Sequence, residues 1–394
     1  MQKKTVKDVD VSGKRVLVRV DFNVPLGPDG TIEDDSRIRA CLPTITFLIN
    51  HSAKVILCSH LGRPHGIIDE RLRLAPVARR LSELLEKPVV SLREAIGPSV
   101  EKTVAGLKDG DVVLLENLRF YPGEEENNFG FSQDLSRLAD LYVNDAFGAS
   151  HRSHASVAGI SKFLPCVAGL LMEKEIEQLS SLLEHPDRPF AVILGGAKVE
   201  EKIGILENII PKVDLVLVGG GAAATFLKIH GNPVGNSPVE TNKMKVVETI
   251  LRDATSRGVR ILLPEDFVVT KKPEPGSPSL IVPSDQIPPD YIIADIGPLT
   301  IAEFTQEIHQ CQTVAWNGPM GIFEIPQFSN GTKAVAQALA GLSGTTVVGG
   351  GSTAEAVTQL GIAGKMTHVS TGGGAFLRFL SGKTLPGVDV LLNR

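Results

Sequence analysis

The sequence is short of the features that mark membrane, secreted and nucleic-acid-binding chains. No run of about eighteen apolar residues occurs, so no membrane-spanning helix is expected. Cysteine is sparse: Cys41, Cys58, Cys166 and Cys311 lie far apart and lack Cys-x-x-Cys spacing. That excludes a disulfide framework or a cysteine zinc site and points to buried, reduced thiols. Lys and Arg number 40 against 45 Asp and Glu, a net charge of −5, which argues against nucleic acid as a partner. The N-terminal MQKKTVKDVD carries charge with no apolar segment behind it, so no secretory signal is expected and the location read from the sequence is cytoplasmic. There is no G-x-x-x-x-G-K-[ST], hence no P-loop, and no visible internal repeat. Aromatic residues make up only 5%.

Glycine, by contrast, is abundant at 39 residues, alongside many Val, Ile and Leu. A chain of 394 residues with 42% hydrophobic content suits two cores better than one. Short apolar runs recur at 15–22, 53–60, 111–117 and 141–147, then at 190–196, 214–220, 259–267, 313–319 and 345–351. Each ends near Gly, Asp, Asn or Ser and leads into helix-like sequence. The alternation predicts an α/β fold with a doubly wound, Rossmann-like parallel sheet in each half. Leu74, Val77, Ala78, Leu81, Leu84 and Leu85 have helical spacing and predict one crossover helix. After Gly169, the amphipathic LLMEKEIEQLSSLLEH ends at Pro186 and Pro189. It predicts an interdomain helix over 170–186, with domains at 1–169 and 187–375.

Ligands of open parallel sheets bind beyond the carboxyl ends of the strands, so the residues after each run carry the most information. In the first half these are Asp21 and Asn23, followed by Arg37 and Arg39. His60, Leu61, Gly62 and Arg63 follow the second run, Arg119 the third, and Asp145, His151, Arg152 and His154 the fourth. Guanidinium forks and imidazoles converging on one sheet edge make a pocket for a small, multiply anionic molecule. One such arginine alone reads as surface charge; recurrence at strand ends is the signal. His-x-x-His without a cysteine or acidic cluster argues against a metal site. Asp21 suits a hydrogen bond to a substrate hydroxyl better than the role of catalytic base.

In the second half the runs end on glycine. Gly195-Gly196-Ala197-Lys198 is followed by Lys202, which places both lysines on one face if a helix begins near Lys198. Glycine triples stand at 219–221, 349–351 and 372–374. Backbone N–H groups approach an anion freely where no Cβ intervenes, so these loops point to a di- or triphosphate. Gly219-x-Gly221-x-x-Ala224 and Gly349-x-Gly351-x-x-Ala354 also match a dinucleotide fingerprint, which keeps a nicotinamide-dependent dehydrogenase open. Neither opens the first βα unit of its half, and no acidic residue stands clearly at the end of the next strand. A two-lobed binding protein without chemistry is a further alternative.

Taken in order, RVDFNVP, SHLGRP, LRFYPGEE, NDAFGASHRSHAS, GGAKVEEKI, WNGPMGIFE, VVGGGST and STGGGA resemble the phosphoglycerate kinases, and the resemblance runs end to end. It implies a monomeric, hinge-bending transferase of glycolysis. The reaction would pass the acyl phosphate of 1,3-bisphosphoglycerate to ADP, giving 3-phosphoglycerate and ATP, with Mg²⁺ on the nucleotide. It implies that a C-terminal segment from about 376 to 394 completes the first domain. By resemblance, Asp21 and Asn23 meet the glycerate end, Arg37 is the catalytic arginine near the carboxylate, and His60, Leu61, Gly62, Arg63, Arg119 and Arg152 surround the substrate phosphate. Lys198 accompanies the moving phosphoryl group, with Gly351 and Gly374 beside it. Lys202, Gly297, Glu324, Gly350, Gly351, Ser352 and Thr353 face ATP or ADP.

Both nucleophiles of such a reaction, a phosphate oxygen and a carboxylate, are ionised at neutral pH, so no general base is required. Alignment and charge neutralisation remain, which arginine, lysine, backbone N–H and metal supply. One departure is specific. Where the family has a metal-serving Asp, this chain has Ser352, which leaves the protein's metal ligand unknown. Ser352-Thr353-Ala354-Glu355 also spells a capping box, with Ser352 expected to cap a helix and Glu355 to reach back.

Overall fold

The computed structural model describes residues 2–394, which divide into two compact units. The first runs to Glu177 and takes in Thr384–Arg394; the second is Gln178–Lys383. In the first unit the strands are β1 (Arg15–Arg19), β2 (Lys54–Cys58), β3 (Val89–Ser91), β4 (Val112–Leu114), β5 (Leu141–Asn144) and β6 (Cys166–Ala168). They form one parallel sheet in the order β3-β4-β2-β1-β5-β6. The central strands are buried on both faces, which is why their sequences read as continuous apolar runs. The C-terminal segment is stitched into this unit. Lys4 N–H donates to Leu392 O (2.7 Å), Leu392 N–H to Cys166 O (2.9 Å), and Arg394 pairs with Asp8 at 3.0 Å.

The second unit contains β7 (Phe190–Leu194), β8 (Leu215–Val218), β9 (Arg260–Leu262), β10 (Asp266–Thr270), β11 (Ser279–Pro283), β12 (Ile292–Ile296), β13 (Thr313–Asn317), β14 (Thr345–Gly349) and β15 (His368–Val369). Its parallel sheet runs β15-β14-β13-β7-β8-β9, and a separate antiparallel sheet runs β11-β10-β12. The apolar run 259–267 was expected to be one strand. It is two, because Pro264 interrupts it, and the halves join different sheets. Asp266 ties the small sheet to the next helix: its carboxylate accepts from Leu299 N–H (3.1 Å) and Thr300 N–H (2.9 Å) in the first turn of Pro298–His309.

The connecting helix is Leu170–Glu184. Its first turn is held within the first unit: Leu170 N–H donates to Thr44 Oγ1 (2.8 Å), and Leu171 and Met172 N–H donate to Asp145 Oδ1 (3.0 and 3.2 Å). Gly169 is required here, since a Cβ would stand 2.1 Å from that carboxylate. The crossover helix Ala75–Leu85 buries Val77, Ala78 and Leu81 as its spacing predicted, with Leu74 at its N-cap. Among the described residues no helix is long and apolar enough to cross a membrane. All four cysteines are free and buried.

Candidate active site

In the first unit the loops leaving β1, β2 and β4 are fastened to one another. Asn23 Oδ1 accepts from Gly62 N–H (2.8 Å), while Gly62 O accepts from Arg119 Nη1 (2.7 Å). Gly62 has φ of 64°, a left-handed conformation that glycine adopts without strain. Asp21 Oδ2 accepts from Arg37 Nη1, and Asp21 Oδ1 lies 3.9 Å from His60 Nδ1. Arg37 and Arg39 begin one helix, Ser36–Asn50, and two residues on a helix point to opposite sides. Arg37 therefore joins Asp21, whereas Arg39 turns away to Asp35 (2.8 Å) and leaves the pocket. Arg63 is exposed and Arg152 half-buried.

The charge here is mixed, with Arg19, Arg37, Arg119 and Arg152 set against Asp21, Glu124 and Glu125. Arg19, His60, Arg119 and His154 are buried. Burial pulls Arg119 down to about 10, and burial with the surrounding cations pulls His154 down to about 4 and His60 well below the usual histidine range. Arg119 Nε lies 3.2 Å from Glu125 Oε1 yet makes no hydrogen bond. Both imidazoles are therefore neutral near pH 7, and Arg119 is the buried cation whose desolvation a bound anion relieves.

Residues not singled out from the sequence hold this pocket together. Asn117 donates to Leu61 O (2.7 Å) and Leu72 O (3.0 Å) and accepts from Leu61 N–H (3.2 Å) and Arg119 N–H (3.1 Å). Arg19 closes β1 from inside. A charged residue within an apolar run, with nowhere to go but the interior, is the signal that marks it.

In the second unit the strand order reverses between β7 and β13, where open parallel sheets bind ligands. Gly195 and Gly318–Pro319 meet there so closely that a Cβ on Gly195 would lie 2.2 Å from Pro319 O. The buried Lys202 donates from Nζ to Asn317 Oδ1, and Asn317 Nδ2 donates to Gly349 O (2.7 Å), tying the helix Glu200–Ile209 to the ends of β13 and β14. Burial lowers Lys202 to about 8. The helix begins at Glu200, so Lys198 precedes it and is exposed, contrary to the shared face expected from spacing.

Two of the three glycine triples converge. Gly372 is the N-cap of Gly373–Leu380, and a Cβ on Gly373 would stand 3.0 Å from Gly351 N, at the start of Gly351–Gln359. Two helix N-termini thus open side by side, with free N–H groups and partial positive charge. The triple at 219–221 does something else. Gly219 N–H donates to Leu194 O (2.8 Å) and Gly220 N–H to Met320 O (3.0 Å), and the loop packs on Gly196 and Pro319. These glycines serve loop-on-loop packing, so the first fingerprint match has no dinucleotide meaning.

The capping box also fails. Gly350, at φ of 108°, is the N-cap, Ser352 is the exposed second residue of the helix, and Glu355 instead accepts from Gln359 Nε2 (3.0 Å). The glycine run lets the helix start earlier than Ser352 would set it. Thr353 is buried, its hydroxyl accepting from Gly318 N–H (2.8 Å). Gly297 caps the helix Pro298–His309 against Asp266, and Glu324 is exposed in the turn after β13.

Comparison with known proteins agrees along the whole chain. A family model described as phosphoglycerate kinase matches residues 6–383. The chain is 54% identical over 394 residues to a phosphoglycerate kinase of Pelotomaculum thermopropionicum, covering 100% of both. It is 54% identical over 398 residues to one of Dictyoglomus turgidum, again covering 100% of both. The solved phosphoglycerate kinase of Coxiella burnetii superposes with a TM-score of 0.87 at 38% identity, with 98% of each chain covered. That of Pyrococcus horikoshii gives 0.84 at 35% identity and the same coverage.

Proposed function

The chain belongs to the phosphoglycerate kinase family, and from that premise we propose how its residues divide the work. The enzyme is a phosphotransferase of glycolysis: it passes the acyl phosphate of 1,3-bisphosphoglycerate to ADP, giving 3-phosphoglycerate and ATP, and the reverse. Arg37 takes the carboxylate at which transfer occurs and Asp21 the glycerate hydroxyl, with Asn23 setting the Leu61-Gly62 loop. His60, Arg63, Arg119 and Arg152 surround the distal phosphate. The observation that supports this assignment best is the buried, under-neutralised charge of Arg119 and its neighbours at one sheet edge.

In the second unit, Lys202 and the paired helix starts at Gly350–Thr353 and Gly372–Gly374 hold the nucleotide phosphates. Lys198, Gly351 and Gly374 follow the phosphoryl group in transit, and Gly297 and Glu324 flank the nucleoside. Among the described residues no three His, Cys, Asp or Glu side chains form a metal-holding cluster, and Ser352 offers only a hydroxyl. This donor set fits Mg²⁺ carried by the nucleotide's own oxygens and water, as that ion commonly binds. Held near Ser352 with the nucleotide, Mg²⁺ would supply positive charge that offsets the charge of the phosphates. Transfer is in line, and turnover brings the two units together around the connecting helix. The enzyme acts as a cytoplasmic monomer.

The test is ADP formation from ATP, Mg²⁺ and 3-phosphoglycerate. The parent is expected to turn over and Arg37→Ala to lose at least about a hundredfold in kcat/KM, the scale of a lost charge-stabilising donor. Turnover without 3-phosphoglycerate would overturn the assignment.

A further inference from the structure

Behind the substrate-facing groups of the first unit lies a chain of buried polar contacts. Glu124, Ser156 and Arg19 are 0%, 0% and 1% exposed. Glu124 Oε2 accepts from Ser156 N–H (2.9 Å), and Glu124 Oε1 lies 2.6 Å from Ser156 Oγ. Arg19 Nε donates to Ser156 Oγ (2.9 Å), Nη1 to Val20 O, and Nη2 lies 3.1 Å from His60 Nδ1.

Two facts set the directions: guanidinium only donates, and Glu124, which burial raises but Arg19 and the Ser156 hydrogen bonds hold back, accepts as a carboxylate. Ser156 Oγ must accept from Arg19, so its single proton goes to Glu124. His60 Nδ1 must likewise accept from Arg19, so the neutral ring carries its proton on Nε2. Tyr142 OH donates to Ser156 O (2.7 Å), fixing the middle of the chain, and Glu124 O accepts from Ala155 N–H (2.9 Å). Glu124 is also the buried anion that answers the Arg19 cation, so loss of either leaves an unpaired buried charge.

We propose that Glu124 and Ser156 are positioning residues for phosphoryl transfer: through Arg19 they lock His60 in the Nε2–H tautomer, so that the ring presents a hydrogen-bond donor to the anionic substrate. In the other tautomer the ring would turn a lone pair toward the anion and repel it. The proposal rests on the substrate-binding role given to His60 above. Neither Glu124 nor Ser156 touches the substrate; both act on the orientation of a proton.

The direct readout is ¹⁵N–¹H correlation of the histidine side chains in the full-length, histidine-labelled enzyme, with the His60 signals assigned by their loss in His60→Gln. In the parent, one unprotonated nitrogen coupled as Nδ1 and one protonated as Nε2 are expected. Ser156→Ala and Glu124→Gln are expected to convert this to a mixture of tautomers or to Nδ1–H. They should also raise KM for 3-phosphoglycerate about five- to tenfold with kcat nearly unchanged, as loss of one uniform-binding hydrogen bond does. Should Ser156→Ala fail to fold, Ser156→Cys, of nearly equal volume and with a weak S–H donor, carries the same test. An unchanged Nε2–H tautomer in the folded variants overturns the proposal whatever the kinetics. An unchanged KM in His60→Gln would instead remove the substrate role while leaving the tautomer lock measurable on its own.

Discussion

Asn117 exposes none of its surface and uses all its hydrogen-bonding capacity, two donors and two acceptors, on Leu61, Leu72 and Arg119. Truncation leaves three buried backbone groups and one part-buried one without their partner, so Asn117→Ala is expected to cost about 3 kcal/mol. It should also raise KM for 3-phosphoglycerate by loosening the Leu61-Gly62 loop. Urea denaturation followed by circular dichroism measures the first effect; a loss under about 1 kcal/mol would mean that the loop holds itself. Ser352 poses the converse case, an exposed residue to which the proposed function gives a chemical role. Ser352→Asp is expected to shift the Mg²⁺ dependence of turnover while leaving KM for 3-phosphoglycerate within about twofold, and identical metal titrations for both forms would refute it. His60, Gly62, Arg63, Arg119, Gly195 and the glycines at 349–351 were legible as candidates because each stands at or just after the end of an apolar run. The roles of Arg37 and Gly374, and Gly297 altogether, were reached only through the family resemblance. Asn117, Asn317, Glu124 and Ser156 were not, since their work is done on other side chains that only the fold brings near.

The connecting helix depends on a carboxyl group that burial makes uncomfortable. Asp145 is fully buried and raised to about 7 from an ordinary 3.8, and one oxygen, Oδ2, has no hydrogen-bond partner. Between those two values the folded chain keeps a proton that the unfolded chain releases, so this group's contribution to stability is lost as pH rises through that window. His154, lowered to about 4 from 6.5, has the opposite slope: its contribution is lost as pH falls from 6.5 toward 4. Asp145→Asn keeps an oxygen for Leu171 and Met172 while removing its own titration. The expected result is a urea midpoint that falls less between pH 5 and pH 8 than in the parent; parallel pH profiles would show that Asp145 does not titrate there. Elements were readable to the extent that they were long. The central strands follow from unbroken apolar runs, and the helices at 75–85 and 170–184 from apolar periodicity. β3, β6 and β15, of two or three residues, are too short to show a period, and the antiparallel hairpin around PEPGSP was hidden by the run that Pro264 divides. The start of Gly351–Gln359 was misplaced because a glycine N-cap has no side-chain signature, whereas the serine beside it has one.

The proposed function gives the two units different halves of one reaction, and the closure it invokes is a property of the whole chain to be measured. With 3-phosphoglycerate and a non-hydrolysable ATP analogue plus Mg²⁺, small-angle scattering is expected to show a smaller radius of gyration than with either ligand alone; an unchanged value would remove closure from the mechanism. The whole chain carries −5, so if the first-unit arginines bind the anionic substrate as proposed, that attraction is local, acts over about a Debye length and weakens with added salt. The buried cysteines have a practical consequence of another kind. Burial holds Cys58 and Cys166 up at about 12, Cys311 at about 11 and Cys41 well above its ordinary range, so none offers a thiolate while the fold is closed. Cys41, Cys58 and Cys166 belong to the first unit and Cys311 to the second. Alkylation at each thiol is thus paced by the opening of its own surroundings, and the protein carries a built-in clock for the breathing of each half, readable by mass without any label being introduced.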